Sequence, residues 1–451
     1  MIALLMMAGV ALFLLIRGIW LHEKFMELPT LMAMLYISFL VPQALVVERD
    51  YGPLLNTWFA WTYMTACLIA ILIGFEVAKA HAGRNPSSSA AMNERHYESR
   101  LMFGAVCLAV LGGLASARVG AIASSNNLGT EWTGVVTFWY LFMQALFFAF
   151  ALCCLRYVKT RRFLYVLIGA LVAAAIAAAV LQNVKRNMIA EIGIIVAGAM
   201  FFVLNVKPPR IVIIVGALLG TVLLHQVGSV RSYVDDGRGN ALQAFVEGVP
   251  FEKFEYFEME RAPEVAQGVV DIQATNESGE LIGLMPYWNR LVHQYVPAFL
   301  VGRDLKNALM VNQTVDMFEE FERAKLNSRG ATRTGFADSY QAFSIFGVVV
   351  FLLLGGAMGW LYAHAINGKF WAQFYYLVLL NDSLIAVTES TARFIAGLPF
   401  LLFVTYFIVA PSAPTQNIMG RVRVWARRLG RAFWRRSKVA GAAHRWSRPV
   451  R

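Results

Sequence analysis

The chain has 451 residues, of which 58% are hydrophobic and 15% are charged. Soluble domains carry roughly 25% charged residues, so this composition excludes a water-soluble globular protein and indicates an integral membrane protein. The formal net charge is +12, and its excess lies where anionic lipid headgroups, rather than nucleic acid, would attract it. The four cysteines lie in apolar runs and lack the spacing of a disulfide framework or a zinc site.

Eleven apolar stretches approach the roughly 20 residues that a helix needs to cross a bilayer. The first has no basic residue before its apolar core and carries Arg17 after it, which favours a signal-anchor over a cleaved leader. We therefore predict an all-α polytopic membrane protein. Its transmembrane helices are predicted at about 1–17, 28–47, 54–78, 101–119, 132–155, 163–182, 188–206, 211–227, 338–366, 372–388 and 393–411.

The connecting loops alternate between basic-rich and basic-poor, and Lys and Arg concentrate on the cytoplasmic side of membrane proteins. This alternation predicts an N-terminus outside the membrane and a C-terminus inside it. The sequence then divides into four parts. They are eight transmembrane helices in 1–227, a large outer loop in 228–337, three further helices in 338–411, and a basic cytoplasmic tail in 412–451.

The outer loop is acidic although the whole protein is basic. It holds 11 Lys or Arg and 16 Asp or Glu, a net charge of −5. Aromatic and apolar positions in LMPYWNRLVHQYVPAFL and NALMVNQTVDMFEEFERAK are suited to amphipathic helices, which Pro286 and Pro297 punctuate. We predict a folded, helical loop rather than a linker.

Arginines collect where helices end on the outer side, as with Arg186, Arg231, Arg290 and Arg333. A guanidinium donates two hydrogen bonds to adjacent oxygens and stays charged in a partly dry site, so it suits phosphate or pyrophosphate. A single boundary arginine more often only orients its helix. That alternative weakens for Arg186 and Arg231, because outward loops normally avoid positive charge.

Acidic groups near the outer side are candidates for chemistry. Glu191 lies one turn inside its helix and either takes part in chemistry or pairs with Arg186. Asp382 lies at membrane depth, where a carboxylate is costly enough to indicate function. Glu389 and Arg393 flank the short turn ESTAR, for which we predict a local ion pair.

Glycines in LLLGGAMGW, namely Gly355, Gly356 and Gly359, have small-xxx-small spacing and predict close helix packing rather than a nucleotide loop. We find no metal-ligand motif and no cofactor motif in its required context.

Four features in about 180–365 resemble the oligosaccharide repeat-unit polymerases of bacterial surface-polysaccharide pathways, the Wzy-type O-antigen polymerases. An arginine closes a middle span in VLQNVKRNMIAEIGIIV, and a second follows the next span in HQVGSVRSY. A long loop contains PYWNRLVHQYVPAFLVGRD. The loop then leads into DSYQAFSIFGVVVFLLLGGAMGWLY, which opens the next span.

The resemblance implies a GT-C-like glycosyltransferase of the bacterial inner membrane. Its donor and acceptor would be polyprenyl-pyrophosphate-linked oligosaccharides, it would need neither metal nor cofactor, and a chain-length regulator is a candidate partner. Candidate pyrophosphate ligands are Arg186, Arg231, Arg290 and Arg333. Candidate catalytic residues are Asp338, His293 and Glu191, and candidate sugar-binding residues are Tyr287, Trp288 and Tyr340.

Three alternatives stay open at this point. The related O-antigen ligases carry a histidine late in the long loop; LNSRGATRTGFADSY has none, although His293 could substitute. A flippase or transporter of the lipid-linked glycan would show paired halves with broken helices. A non-catalytic scaffold would use the outer loop as a docking domain.

Overall fold

In a computed structural model, the described part of the chain is helical and contains no strand. The structure describes residues 1–52, 55–84, 94–125, 135–183, 186–215, 233, 241–247, 263–311 and 334–409. The chain divides into two compact units, Met1–Pro399 and Phe400–Arg451. Of the second unit only 400–409 is described, as the end of a helix.

The described chain forms eighteen α-helices. The first nine are α1 (Ile2–Trp20), α2 (Leu28–Leu35), α3 (Val41–Tyr51), α4 (Thr57–Arg84), α5 (Glu94–Ser125), α6 (Val135–Met143), α7 (Ala145–Thr160), α8 (Phe163–Asn183) and α9 (Arg186–Leu204). The others are α10 (Ala241–Val246), α11 (Pro263–Ser278), α12 (Met285–Tyr295), α13 (Ala298–Val301), α14 (Arg303–Leu309), α15 (Gly335–Phe343), α16 (Val348–Ile366), α17 (Phe370–Thr388) and α18 (Thr391–Val409).

Nine helical segments of the described chain are long and apolar enough to cross a membrane, and Met188–Leu204 is a shorter apolar helix. Together they correspond to ten of the eleven predicted spans. The other predicted span, 211–227, lies mostly outside the described residues. The all-helical, membrane-protein class is confirmed, whereas the number of crossings, the domain boundaries and the orientation stay predictions.

Helices α4 and α16 pack against each other along their length. A Cβ on Gly355 would lie 2.3 Å from the carbonyl oxygen of Ile71, and one on Gly359 would lie 2.2 Å from that of Phe75. Real Cβ atoms do not approach oxygen this closely, so only glycine allows the two backbones to meet. The predicted packing role of these glycines is confirmed.

The predicted span 338–366 begins earlier, at Gly335, and is interrupted. Helix α15 ends at Phe343, and a 3₁₀ turn, Ser344–Gly347, precedes α16. Ser344 has φ +53°, in the left-handed region that serine seldom adopts. Gly347 fits there because a Cβ would lie 2.3 Å from the Ser339 carbonyl oxygen and from the Tyr63 hydroxyl. The break makes α15 a separate short helix, buried throughout 335–340.

Candidate functional site

Helix α15 brings the carboxylate of Asp338 against the turn between α17 and α18. The first turn of α15 lies directly on α17, because Gly335 has no Cβ; one there would lie 1.7 Å from the Ala386 carbonyl oxygen. Asp338 is one turn further along the same face and is 7% exposed. Its Oδ2 accepts hydrogen bonds from Ser390 Oγ at 2.7 Å and from Thr391 Oγ1 at 3.2 Å.

A tyrosine extends this network, which we call the acid–hydroxyl network (Asp338, Ser390, Thr391 and Tyr287). The Tyr287 hydroxyl lies 2.8 Å from Thr391 Oγ1. Threonine has one hydroxyl proton, and with Asp338 ionised that proton is donated to the carboxylate, so Tyr287 donates to Thr391. Burial raises the pKa of Tyr287 to about 12, and the charge of Asp338 also raises it. The phenol is therefore protonated at neutral pH, as the donor role requires.

A second group of charges surrounds Arg393 at the start of α18. Its Nε lies 3.7 Å from Asp382 Oδ1, and its Nη1 is paired with Glu389. The absence of a side chain on Gly397 leaves room for Asp382, since a Cβ would lie 2.8 Å from Asp382 Oδ2. The predicted local pair between Glu389 and Arg393 is confirmed.

Glu191 on α9 joins this group from another helix. Its Oε2 accepts a hydrogen bond of 2.8 Å from Asn381 Nδ2, next to Asp382. We call Glu191, Asn381, Asp382, Glu389 and Arg393 the acid–arginine cluster. Three helices therefore contribute polar groups to one region of a helical membrane protein, where unpaired polar groups would be costly.

Arg290 is held beside both groups by α12. On that helix, Tyr287 bonds to Thr391, and the Tyr295 hydroxyl donates to the Ala396 carbonyl oxygen at 2.5 Å. Arg290 lies between these two contacts, and its side chain is exposed. No ion pair or hydrogen bond links its guanidinium to another residue of the described chain.

The electrostatic surroundings of Arg290 are mixed. Desolvation by the neighbouring protein groups lowers its pKa, and the positive charge of Arg393 lowers it further. The carboxylates of Glu389, Asp382 and Asp338 act in the opposite direction. Two like-charged guanidinium groups thus lie close enough to repel, and the three carboxylates beside them offset that repulsion.

The two other aromatic candidates do not join this network. Tyr340 is 2% exposed, and its ring makes T-shaped contacts with Tyr63 and Phe59, at centroid distances of 5.1 and 5.5 Å. Its hydroxyl donates to Asn276 Oδ1 at 3.3 Å. Trp288 is 48% exposed, and its Nε1 donates to the backbone of α14. Of the two, Trp288 offers a ring face to a ligand.

Of the remaining predicted residues, the structure describes His293 fully, Arg186 only by its backbone, and the others not at all. His293 is on α12, and its backbone carbonyl accepts a hydrogen bond from Lys306 Nζ at 3.1 Å. Arg186 is the first residue of α9, five residues and therefore about 7.5 Å along the axis from Glu191. The side chain of Arg186 and all of Arg231 and Arg333 lie outside the described residues.

Sequence reasoning did not identify Ser390, Thr391 and Asn381 as site residues. A signal was present, because eight polar residues in NDSLIAVTESTAR interrupt two apolar helices. Sequence alone gave no means of pairing Ser390 with Asp338, 52 residues away.

No protein-family model, curated protein or solved structure matches this chain.

Proposed function

We propose that this chain is a membrane glycosyltransferase that joins polyprenyl-pyrophosphate-linked oligosaccharide repeat units into a surface polysaccharide. One observation carries the proposal. The buried carboxylate of Asp338 is oriented by two hydroxyl donors where α17 is connected to α18. Arg290 lies beside it, and no described residue accepts a hydrogen bond from its guanidinium group.

The reaction needs a base and a group that stabilises the leaving pyrophosphate. The acceptor hydroxyl attacks the anomeric carbon of the donor, the bond from that carbon to the phosphate oxygen breaks, and its electron pair leaves with the pyrophosphate. We assign Asp338 to accept the hydroxyl proton, a contribution of about 10²–10⁴-fold. Glu191 and His293 are the alternative bases. Arg290 stabilises the charge that develops on the leaving group.

The net charge of the described site is too negative for pyrophosphate binding without the other predicted arginines. With all groups ionised, the site holds four carboxylates and two guanidinium groups, a net charge of −2. The carboxylates are Asp338, Glu191, Asp382 and Glu389, and the guanidinium groups are Arg290 and Arg393. A pyrophosphate adds more negative charge, so its binding requires further cations. The predicted ligands Arg186, Arg231 and Arg333 would supply them and bring the total to +1.

We assign the site to the periplasmic side of a bacterial inner membrane. The support is the distribution of basic residues, which predicts a cytoplasmic C-terminus. Membrane-bound donor and acceptor then meet in two dimensions, which favours their encounter in the correct orientation.

Chain extension by the purified protein tests the proposal. Protein reconstituted with lipid-linked repeats is compared as wild type, Asp338→Asn and Arg290→Met, and product lengths are read on a gel. We expect each variant to lose at least about 100-fold in rate. The exposed neighbours on α14, as Asp304→Asn and Arg303→Met, are matched controls and should extend chains normally.

Normal extension by both Asp338→Asn and Arg290→Met would contradict the proposal. Three other outcomes of the wild-type assay would each indicate a different function. Movement of the lipid without longer glycans indicates a flippase, transfer of a finished glycan to another lipid indicates a ligase, and neither indicates a scaffold.

A further inference from the structure

A polar cavity lies at the opposite end of the helices from the candidate site. Along α9, Glu191 and Phe202 are separated by 11 residues, or about 16 Å, and Phe202 lines the cavity. The cavity has a volume of about 560 Å³. Its wall combines lysines and glutamates with aromatic and aliphatic side chains from α9 and α16.

The charges in this cavity are matched except for one lysine. Glu27, which is 1% exposed, pairs with Lys79. Glu23 pairs with Lys207 at 2.6 Å. Lys24 lines the same cavity, and its ammonium group has no ion-pair or hydrogen-bond partner among the described residues. The lining therefore presents one unmatched positive charge.

Arg17, which contacts Glu27 of the lining, does not change this balance. Its guanidinium pairs with Glu76 and lies 3.5 Å from Glu27 Oε2. The positive charge of Arg17 is thus offset by Glu76, and Lys24 stays the unmatched group.

The remaining lining is apolar and lies next to features of a membrane boundary. Phe202 and Ile366 line the cavity, and Ile366 is 50% exposed. Nearby, the guanidinium of Arg210 lies 5.2 Å from the ring centroid of Trp20, which is 68% exposed. Exposed Trp and Arg side chains mark the level of lipid headgroups. A ligand here can keep its charged end at the lysine and its apolar end in the bilayer.

We propose that this cavity binds a glycerophospholipid, with its phosphodiester at Lys24 and its acyl region against Phe202 and Ile366. A phosphodiester carries one negative charge, which equals the single unmatched charge of the lining. A pyrophosphate carries more and would leave charge uncompensated. This binding is independent of the reaction proposed at the other end of the helices.

The test compares ligands that share only part of this chemistry. Purified, lipid-depleted protein is titrated separately with phosphatidylglycerol, diacylglycerol and inorganic phosphate, and the complexes are counted by native mass spectrometry. We expect phosphatidylglycerol to bind most tightly. Lys24→Gln should weaken it about fivefold, the effect of losing one solvent-screened charge contact. Ile366→Trp, which fills the cavity mouth, should weaken it about tenfold or more.

Two matched variants control for general effects on lipid binding. Lys159→Gln removes a lysine, and Ile345→Trp enlarges an exposed isoleucine, both away from the cavity; each should bind like wild type. All four variants are first shown to unfold at the wild-type temperature. Equal binding by Lys24→Gln and Lys159→Gln overturns the phosphate contact. Inorganic phosphate binding as tightly as phosphatidylglycerol overturns the contribution of the acyl region. Diacylglycerol binding as tightly as phosphatidylglycerol overturns the contribution of the phosphodiester.

Discussion

Thr391 is the central residue of the acid–hydroxyl network, and replacing it by valine removes two hydrogen bonds with little change in shape. Its hydroxyl donates to Asp338 at 3.2 Å and accepts from Tyr287 at 2.8 Å. The residue is 1% exposed, so water cannot replace either bond. A bond to a charged group contributes about 1.5–3 kcal/mol and a neutral one about 1 kcal/mol. We expect Thr391→Val to lower the free energy of unfolding by about 2.5–4 kcal/mol.

The assay is equilibrium unfolding in detergent, with Thr391→Ser as the matched control. Serine keeps the hydroxyl and loses one methyl group, which costs about 1 kcal/mol. The double variant Tyr287→Phe with Thr391→Val should show a coupling energy of about 1 kcal/mol, because both changes remove the same bond. If Thr391→Val is no less stable than Thr391→Ser, the hydroxyl network does not exist as described.

Two further substitutions test how the site is positioned. Gly335→Ala would place a methyl group 1.7 Å from the Ala386 carbonyl oxygen, so α15 must shift. The rate of chain extension should then fall at least about tenfold. The control is Gly193→Ala, whose Cβ would meet nothing within 4 Å and which should extend chains normally. Tyr340→Phe removes only the bond to Asn276, so we expect at most about 1 kcal/mol of lost stability in the unfolding assay and an unchanged KM for the acceptor. A KM raised tenfold would instead show that Tyr340 contacts sugar.

Hydropathy was sufficient to predict the membrane helices, because a bilayer requires long apolar stretches wherever the chain crosses it. The spacing of Gly355 and Gly359 likewise predicted close helix packing, since small residues four apart lie on one helix face, although it did not identify α4 as the partner. The ion pair between Glu389 and Arg393, which are four residues apart, could likewise be predicted from local sequence. In each case the information lies within a single helix or turn.

Features that depend on contacts between distant parts of the chain were not predictable. The break at Ser344 lies within one predicted span, and Gly347 at the end of the break packs against Tyr63, far earlier in the sequence. The ring contact of Tyr340 with Tyr63 likewise joins two distant parts of the chain. Likewise, the hydroxyl partners of Asp338 come from a different helical hairpin.

The most direct test of the proposed function is the affinity for the donor headgroup. Binding of polyprenyl pyrophosphate and of polyprenyl monophosphate is measured for wild type and for Arg186→Ala, Arg231→Ala and Arg290→Ala, with Arg303→Ala as the exposed control. We predict that wild type prefers the pyrophosphate and that each of the three variants weakens its binding at least about tenfold, as loss of a charge-assisted hydrogen bond requires. Unchanged pyrophosphate affinity in all three variants would contradict the account.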